Sequence, residues 1–282
     1  MIKLDGGLST ALENNGNNLI TSLWSGELIR SKPDEITRAH LDFINAGSQI
    51  IITSSYQISY LGCEKRGWSD MQVEQALRDS TSLAKAAVNK SGRDVKIAAS
   101  VGPYGAALAD GSEYNGDYGV SKSALKDFHA RRLDILISTS PDYLALETMP
   151  DTFEVEVLVE LLKDCPIPYW ISYSCKEGNQ TNAGQSFQSA IDVAEAAALI
   201  GINCTKPELI TELMRSAKSS KPFVIYPNSG RIWDADKKIW TGSARSGFSN
   251  KLIQEWVEAG AQIIGGCCGI GANEINELSL IK

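Results

Sequence analysis

Eight short, β-rich apolar runs recur along the 282-residue chain, each followed by a helix-like pattern, and this alternation constrains the fold more than any other feature. The runs cover 2–5, 49–54, 96–101, 143–147, 169–174, 199–203, 223–227 and 262–266. Several are apolar almost throughout, as strands buried on both faces must be. Strands that alternate with helices build a parallel sheet, and eight such units close into an α/β fold of the (β/α)8 TIM-barrel type. The segments between carry their own punctuation. Pro33-Asp34 opens a stretch with Ile36, Phe43 and Ile44 on one face, and Gly47 ends it. Pro207-Glu208 and Ser249-Asn250 open two later helices, with Gly260 closing the last. A doubly wound open sheet is the rival, but no G-x-G-x-x-G follows the first run.

No shorter repeat, low-complexity tract or Pro/Ser-rich linker divides the chain, so residues 1–282 are expected to form one domain, and 43% hydrophobic content suffices for its core. The longest irregular pieces, 102–122, 175–186 and 228–248, each lie between a strand and the helix after it. In a barrel such loops gather at the C-terminal face, where catalytic residues collect. The net charge of -7 comes without any Lys/Arg block, which points away from nucleic acid and anionic membranes and towards small-molecule chemistry. The first residues read as no signal segment and no later run is long enough to cross a bilayer, so a soluble, cytoplasmic protein is expected. Six cysteines in a chain this long, two of them adjacent, suggest reduced thiols or metal ligands rather than disulfides.

Cys204 ends the sixth run in Gly201-Ile202-Asn203-Cys204, and Cys267-Cys268 follow the eighth in Gly265-Gly266-Cys267-Cys268-Gly269. On a barrel all three thiols sit on one rim. Any one of them alone would be read as a small buried hydrophobe. Three thiolates together form a soft ligand set suited to Zn²⁺, one per chain, and leave a fourth tetrahedral position open, as in a catalytic site. The flanking glycines are expected to let the backbone bend so that neighbouring thiols face one metal. Cys175, at the end of the fifth run, ranks below these because a fourth protein thiolate would close the site. Cys63 and Cys165, in a loop and at a helix end, read as ordinary.

Two carboxylates also stand at strand ends, Asp5 and Glu147. With thiolates on the metal, anchoring a substrate cation is the role that fits them, although Asp5 alone also reads as a helix cap. Backbone amides of Gly6 and Gly7 stand where a substrate carboxylate would be received. Tyr56 and Trp24 offer aromatic faces either to a substrate cation or to the core. His40 and His129 read as satisfied structural histidines, and their scarcity disfavours a hydrolytic zinc enzyme.

The chain resembles the homocysteine S-methyltransferases, particularly the branch that uses S-methylmethionine or S-adenosylmethionine. The stretches that carry the resemblance are LDGGLSTAL (4–12), LWSGEL (23–28), ITSSYQ (52–57), SVGPYGAALADGSEYNGDY (100–118), LETMP (146–150), GINC (201–204), YPNSG (226–230) and GGCCG (265–269). The resemblance implies zinc on Cys204, Cys267 and Cys268 with the homocysteine sulfur as fourth ligand. It further implies that Asp5 and Glu147 hold the substrate ammonium, that amides near Gly6 and Gly7 take its carboxylate, and that Thr53 and Gln57 line the pocket. Asn203, Tyr226 and Asn228 would shape the sulfonium side. Gln57 stands where betaine-using relatives carry Tyr, which argues against betaine as donor. A zinc-binding or thiol-sensing barrel without methyl transfer, and a relative preferring selenohomocysteine or another donor, stay open at this point.

Overall fold

The computed structural model describes residues 1–230, 232–234, 239–241 and 247–278. Its main sheet has eight strands: β1 (Ile2–Lys3), β2 (Ile50–Ile52), β3 (Lys96–Val101), β4 (Tyr143–Met149), β5 (Tyr169–Tyr173), β6 (Leu199–Asn203), β7 (Phe223–Tyr226) and β8 (Ala261–Ile264). All pair in parallel, in the order β1-β8-β7-β6-β5-β4-β3-β2. A parallel bridge between Leu4 and Ile50 brings the two ends of this order together, helped by Gln49, whose N–H donates to the Lys3 carbonyl at 2.7 Å while its side chain accepts from Lys3 N–H at 3.0 Å. The (β/α)8 barrel expected from the eight runs is therefore present.

Local chemistry explains the helices that wrap it. Pro33 stands in the first turn of Pro33–Asn45, where its missing N–H costs nothing, and Pro207 does the same for Pro207–Ser216. The 22-residue helix Asp70–Ser91 starts with a capping box between Ser69 and Gln72. Ser249 caps Asn250–Glu258 by accepting from Leu252 N–H. Gly47 and Gly260 end their helices at φ +95° and +107°, a region that a Cβ would disfavour.

Strands buried on both faces give two cores. Leu4, Ile50, Ala98, Ala145, Trp170, Val224 and Ile263 fill the barrel interior. A larger apolar shell, including Phe43, Leu77, Ile171, Ile202 and Trp256, packs between sheet and helices. The period-2 alternation places Ser100, Glu147, Ser172 and Tyr226 two positions beyond Ala98, Ala145, Trp170 and Val224, the interior apolar residues of β3, β4, β5 and β7. The barrel thus turns polar towards its C-terminal end.

The three loops expected to be irregular carry short elements. Residues 102–122 contain the helix Tyr104–Leu108 and the 3-10 turn Ser112–Tyr114. Residues 175–186 contain a hairpin of Cys175–Lys176 and Gln180–Thr181. Within 228–248 a second hairpin pairs Ile232–Asp234 with Ile239–Thr241, and residues 231, 235–238 and 242–246 lie outside the described residues. Cys63, read as a loop residue, is inside the helix Tyr60–Glu64, and His129 lies in the middle of Lys122–Ser138, which Ser121 caps. No described helix is long and apolar enough to cross a membrane.

Candidate active site at the C-terminal rim

The ends of β6 and β8 bring Cys204, Cys267 and Cys268 together, their sulfur atoms all within 4.8 Å of one another. Cys268 Sγ lies 3.8 Å from Cys204 Sγ and 3.9 Å from Cys267 Sγ. Backbone bonds hold the three loops in place: Cys204 N–H donates to Tyr226 O at 3.3 Å, Cys267 N–H to Pro227 O at 2.8 Å, and Ser229 N–H to Cys268 O at 2.9 Å. Cys204 itself adopts φ +46°. That left-handed turn re-aims its thiol at the end of an otherwise regular strand, at a cost of about 1–2 kcal/mol.

The structure joins Cys204 and Cys267 in a disulfide, where the sequence led us to expect none. The convergence that suits a shared metal also suits a bond between two of the sulfurs, because the Cα atoms stand 5.5 Å apart, within the span that a disulfide bridges. The glycines around the pair supply the expected bend, Gly269 turning at φ +78°, and close packing as well. A Cβ on Gly7 would stand 2.6 Å from Cys267 O, and one on Gly266 would strike the Ile270 side chain, so these glycines permit close packing. Cys175 is buried at the foot of its hairpin, free and outside the cluster.

The thiols open onto a cavity of about 110 Å³. Its wall contains Gly6, Gly7, Thr53, Gln57, Glu147 and Tyr226, together with the aromatic faces of Trp24 and Tyr56. Three other expected residues stand behind the wall. Asp5 is buried, with Oδ2 accepting from Ile52 N–H at 2.8 Å and Oδ1 without a partner. Asn203 accepts from Thr148 N–H and donates to Thr148 Oγ1, both at 2.8 Å, which fixes the residue after Glu147. Asn228 donates to Cys204 O at 3.1 Å and braces the loop that carries Cys204. Gly7 N–H is already committed to Ile270 O at 2.9 Å.

Glu147 sits at the polar end of the barrel interior. Ser100 Oγ donates to it, the Tyr226 hydroxyl neighbours it, and Trp170 Nε1 donates to that hydroxyl at 3.1 Å. Burial still dominates and pushes the carboxyl up to about 7, and burial likewise raises Asp5 well above the usual carboxylate range. Cys268 is pushed up to about 12 for the same reason, so its thiol needs a nearby cation to ionise near neutral pH. Of the non-glycine residues with positive φ, Trp24 (45°), Thr148 (60°) and Cys204 (46°) all line this cavity. Backbone strain concentrated at one site is a mark of function.

A family model described as homocysteine S-methyltransferase matches residues 2–281. The chain belongs to the homocysteine S-methyltransferase family. Homocysteine S-methyltransferase 2 of Zea mays is 43% identical, with 98% of this chain and 88% of that protein covered. Homocysteine S-methyltransferase YbgG of Bacillus subtilis is 40% identical, with 99% and 93% covered. Among solved structures, the metallated form of the Escherichia coli homocysteine methyltransferase MmuM superposes with a TM-score of 0.84 at 33% identity, covering 98% of this chain and 94% of that one. The oxidized form of the same enzyme gives 0.85.

The cavity of this homocysteine S-methyltransferase family member is also lined or backed by motif residues to which the sequence assigned no role. Ser100, Glu113 and Tyr114 all lie in the 100–118 stretch, yet only the fold shows Ser100 bonded to Glu147 and the other two on the cavity wall. Thr148 lines the cavity beside Glu147. A strand-end position flags Thr148, whereas nothing local in 102–122 flags Glu113.

Proposed function

We propose that this chain transfers a methyl group from a sulfonium donor, S-methylmethionine or S-adenosylmethionine, to the sulfur of homocysteine, with one zinc ion held by Cys204, Cys267 and Cys268. The observation that carries this reading is the convergence of three cysteine sulfurs, which are three thiols once the disulfide is reduced, on a cavity whose described wall holds carboxylates and no Lys, Arg or His. Bound there, zinc would supply a Lewis acid that lets the homocysteine sulfur shed its proton near neutral pH.

The chain's own residues do the rest. Glu147, backed by Asp5, pairs with the homocysteine ammonium, and two carboxyls held protonated by burial become stable as anions once a cation joins them. Gly6 and Gly7 form the close wall against which the substrate backbone lies. Trp24 and Tyr56 present ring faces to the sulfonium. The homocysteine sulfur then forms a bond to the methyl carbon as the carbon–sulfur bond of the donor breaks, its electron pair staying on the donor sulfur, which leaves as a neutral thioether. Methionine is the product. The thiol proton passes to water and no side chain is assigned as base. Most of the acceleration comes from aligning two sulfurs and a carbon. Gln57 in the wall, rather than Tyr, speaks against betaine as donor. We place the enzyme in the cytoplasm, where reducing conditions keep the thiols available.

The test is methionine formation by reduced, zinc-loaded protein from homocysteine with S-methylmethionine, S-adenosylmethionine or betaine. Turnover with a sulfonium donor and none with betaine is expected. Bound zinc without methionine from any donor would replace this reading with a metal- or thiol-sensing barrel.

A further inference from the structure

Glu113 lies in the 3-10 turn Ser112–Tyr114, on the loop that follows β3, and lines the same cavity as the thiols. It is 5% exposed. The amides of Gly111 and Glu113 lie against its carboxylate, but Oε2 is buried with no hydrogen-bond partner. A buried carboxylate oxygen left without a donor costs about 1–3 kcal/mol, and more when charged. The loop offers no relief, since Asp110, the nearest charged group on it, is also an acid. The turn also packs closely on the preceding helix, since a Cβ on Gly105 would stand 2.4 Å from Glu113 N.

The turn is also anchored from behind. The Tyr104 and Tyr118 rings meet at a tilt with centroids 5.4 Å apart, Tyr104 packs edge-on against Phe128 at 4.9 Å, and Tyr104 N–H donates to Glu154 at 2.6 Å. Glu113 is thus packed in place on the cavity wall with one carboxylate oxygen left unpartnered.

The charges of the two substrates decide which ligand group that is. Homocysteine brings one ammonium, matched by Asp5 and Glu147. A sulfonium amino acid brings a sulfonium and a second ammonium. The sulfonium has no hydrogen to donate and must lie in line with the attacking sulfur, against the aromatic wall. An ammonium carries three donors and satisfies an orphan oxygen directly.

We propose that Glu113 is the anchor for the α-ammonium of the methyl donor, making it a specificity residue for sulfonium amino acids over sulfonium compounds that lack an amino group. This rests on the methyl-transfer reading above. Glu113 is pushed up to about 7 by burial, which fits a carboxyl waiting for a cation.

The experiment compares wild type and Glu113→Gln with S-methylmethionine and with its desamino analogue, (3-carboxypropyl)dimethylsulfonium. For Glu113→Gln the KM of S-methylmethionine is expected to rise about 10- to 100-fold, the span of a lost charge-assisted hydrogen bond. The KM of homocysteine should stay within about twofold, which also reports an intact fold. Wild type should use the desamino donor at least tenfold less efficiently than S-methylmethionine, a comparison that needs no variant, and Glu113→Gln should narrow that gap. An unchanged donor KM in Glu113→Gln, a rise in homocysteine KM instead, or equal use of both donors by wild type would each overturn the assignment. Absence of turnover in wild type with any sulfonium donor would overturn the methyl-transfer reading itself, a different result.

Discussion

Two buried glutamates seven positions apart, Glu147 on β4 and Glu154 in the helix Thr152–Leu161, show how the same chemistry serves structure in one place and ligand binding in another. Burial raises both to about 7. Glu154 finds its partners through one oxygen, while Oε2 stays buried without one. Its Oε1 meets His129 Nε2 at 2.7 Å and Tyr104 N–H at 2.6 Å, while Arg132 bridges to His129 Nδ1 at 2.9 Å and to the Gly102 carbonyl. A cation is built into that cluster. Glu147 has only hydroxyls around it, from Ser100 and Tyr226, and faces the cavity, with Asp5 nearby adding a second acid. A closed network carries its own counter-charge and rigidifies the loop that bears Glu113. An open one lacks the counter-charge, and the substrate supplies it.

The largest effect bearing on this contrast should come from the rim itself. Cys204→Ser, Cys267→Ser or Cys268→Ser is expected to remove both zinc and activity, since an open three-thiolate site tolerates no lost ligand. Metal analysis and methionine assay check this, and a variant with full zinc and normal turnover would break it.

The closed network should then respond in stability. Arg132→Met strands Glu154 without its cation, and a loss of about 3–5 kcal/mol is expected by denaturant unfolding. A loss below about 1 kcal/mol would make the two clusters alike.

The open network should respond in binding. Glu147→Gln is expected to raise homocysteine KM about 10- to 100-fold with zinc retained and stability little changed. Its pH behaviour has a definite sign. Glu147 must be ionised to hold an ammonium and is raised to about 7, so kcat/KM for homocysteine should climb as pH rises through about 7. Stability of the ligand-free protein runs the other way. The folded chain keeps a proton on Glu147 that the unfolded chain releases above its ordinary 4.5. This contribution is therefore full below that value and lost as pH climbs through about 7. Opposite slopes in a pH–rate profile and a pH series of melting curves would confirm the sign.

The smallest effect is expected at His40, buried with both ring nitrogens unpartnered and lowered to about 4 by burial. It is not the satisfied histidine that its helix position suggested. His40→Leu should change stability by about 1 kcal/mol or less, in either direction, because no hydrogen bond is lost.

What sequence could reveal follows from how local each feature is. β3 and β6 coincide with their apolar runs, since Gly102 and Cys204 mark their ends. β1 and β8 are shorter than read because their last residues bend into the rim loops, where Gly266 N–H pairs with Asp5 O instead of continuing a ladder. The cysteine cluster was legible because barrel topology alone brings strand ends together. Asn203 and Asn228 were read as substrate contacts, and the structure gives them partners on Thr148 and on the Cys204 carbonyl. That distinction depends on side-chain direction, which spacing does not encode. Glu113 reaches the cavity wall only through the folded loop, and Glu154 meets His129 and Tyr104 across 25 and 50 positions, so no window of sequence displays either.

The most direct test of the account is to titrate zinc into reduced, metal-free protein while following methionine formation from homocysteine and S-methylmethionine. The account predicts activity rising in proportion to bound zinc up to one ion per chain, and no rise in Cys268→Ser. Full turnover by the metal-free protein in the presence of a chelator would contradict it.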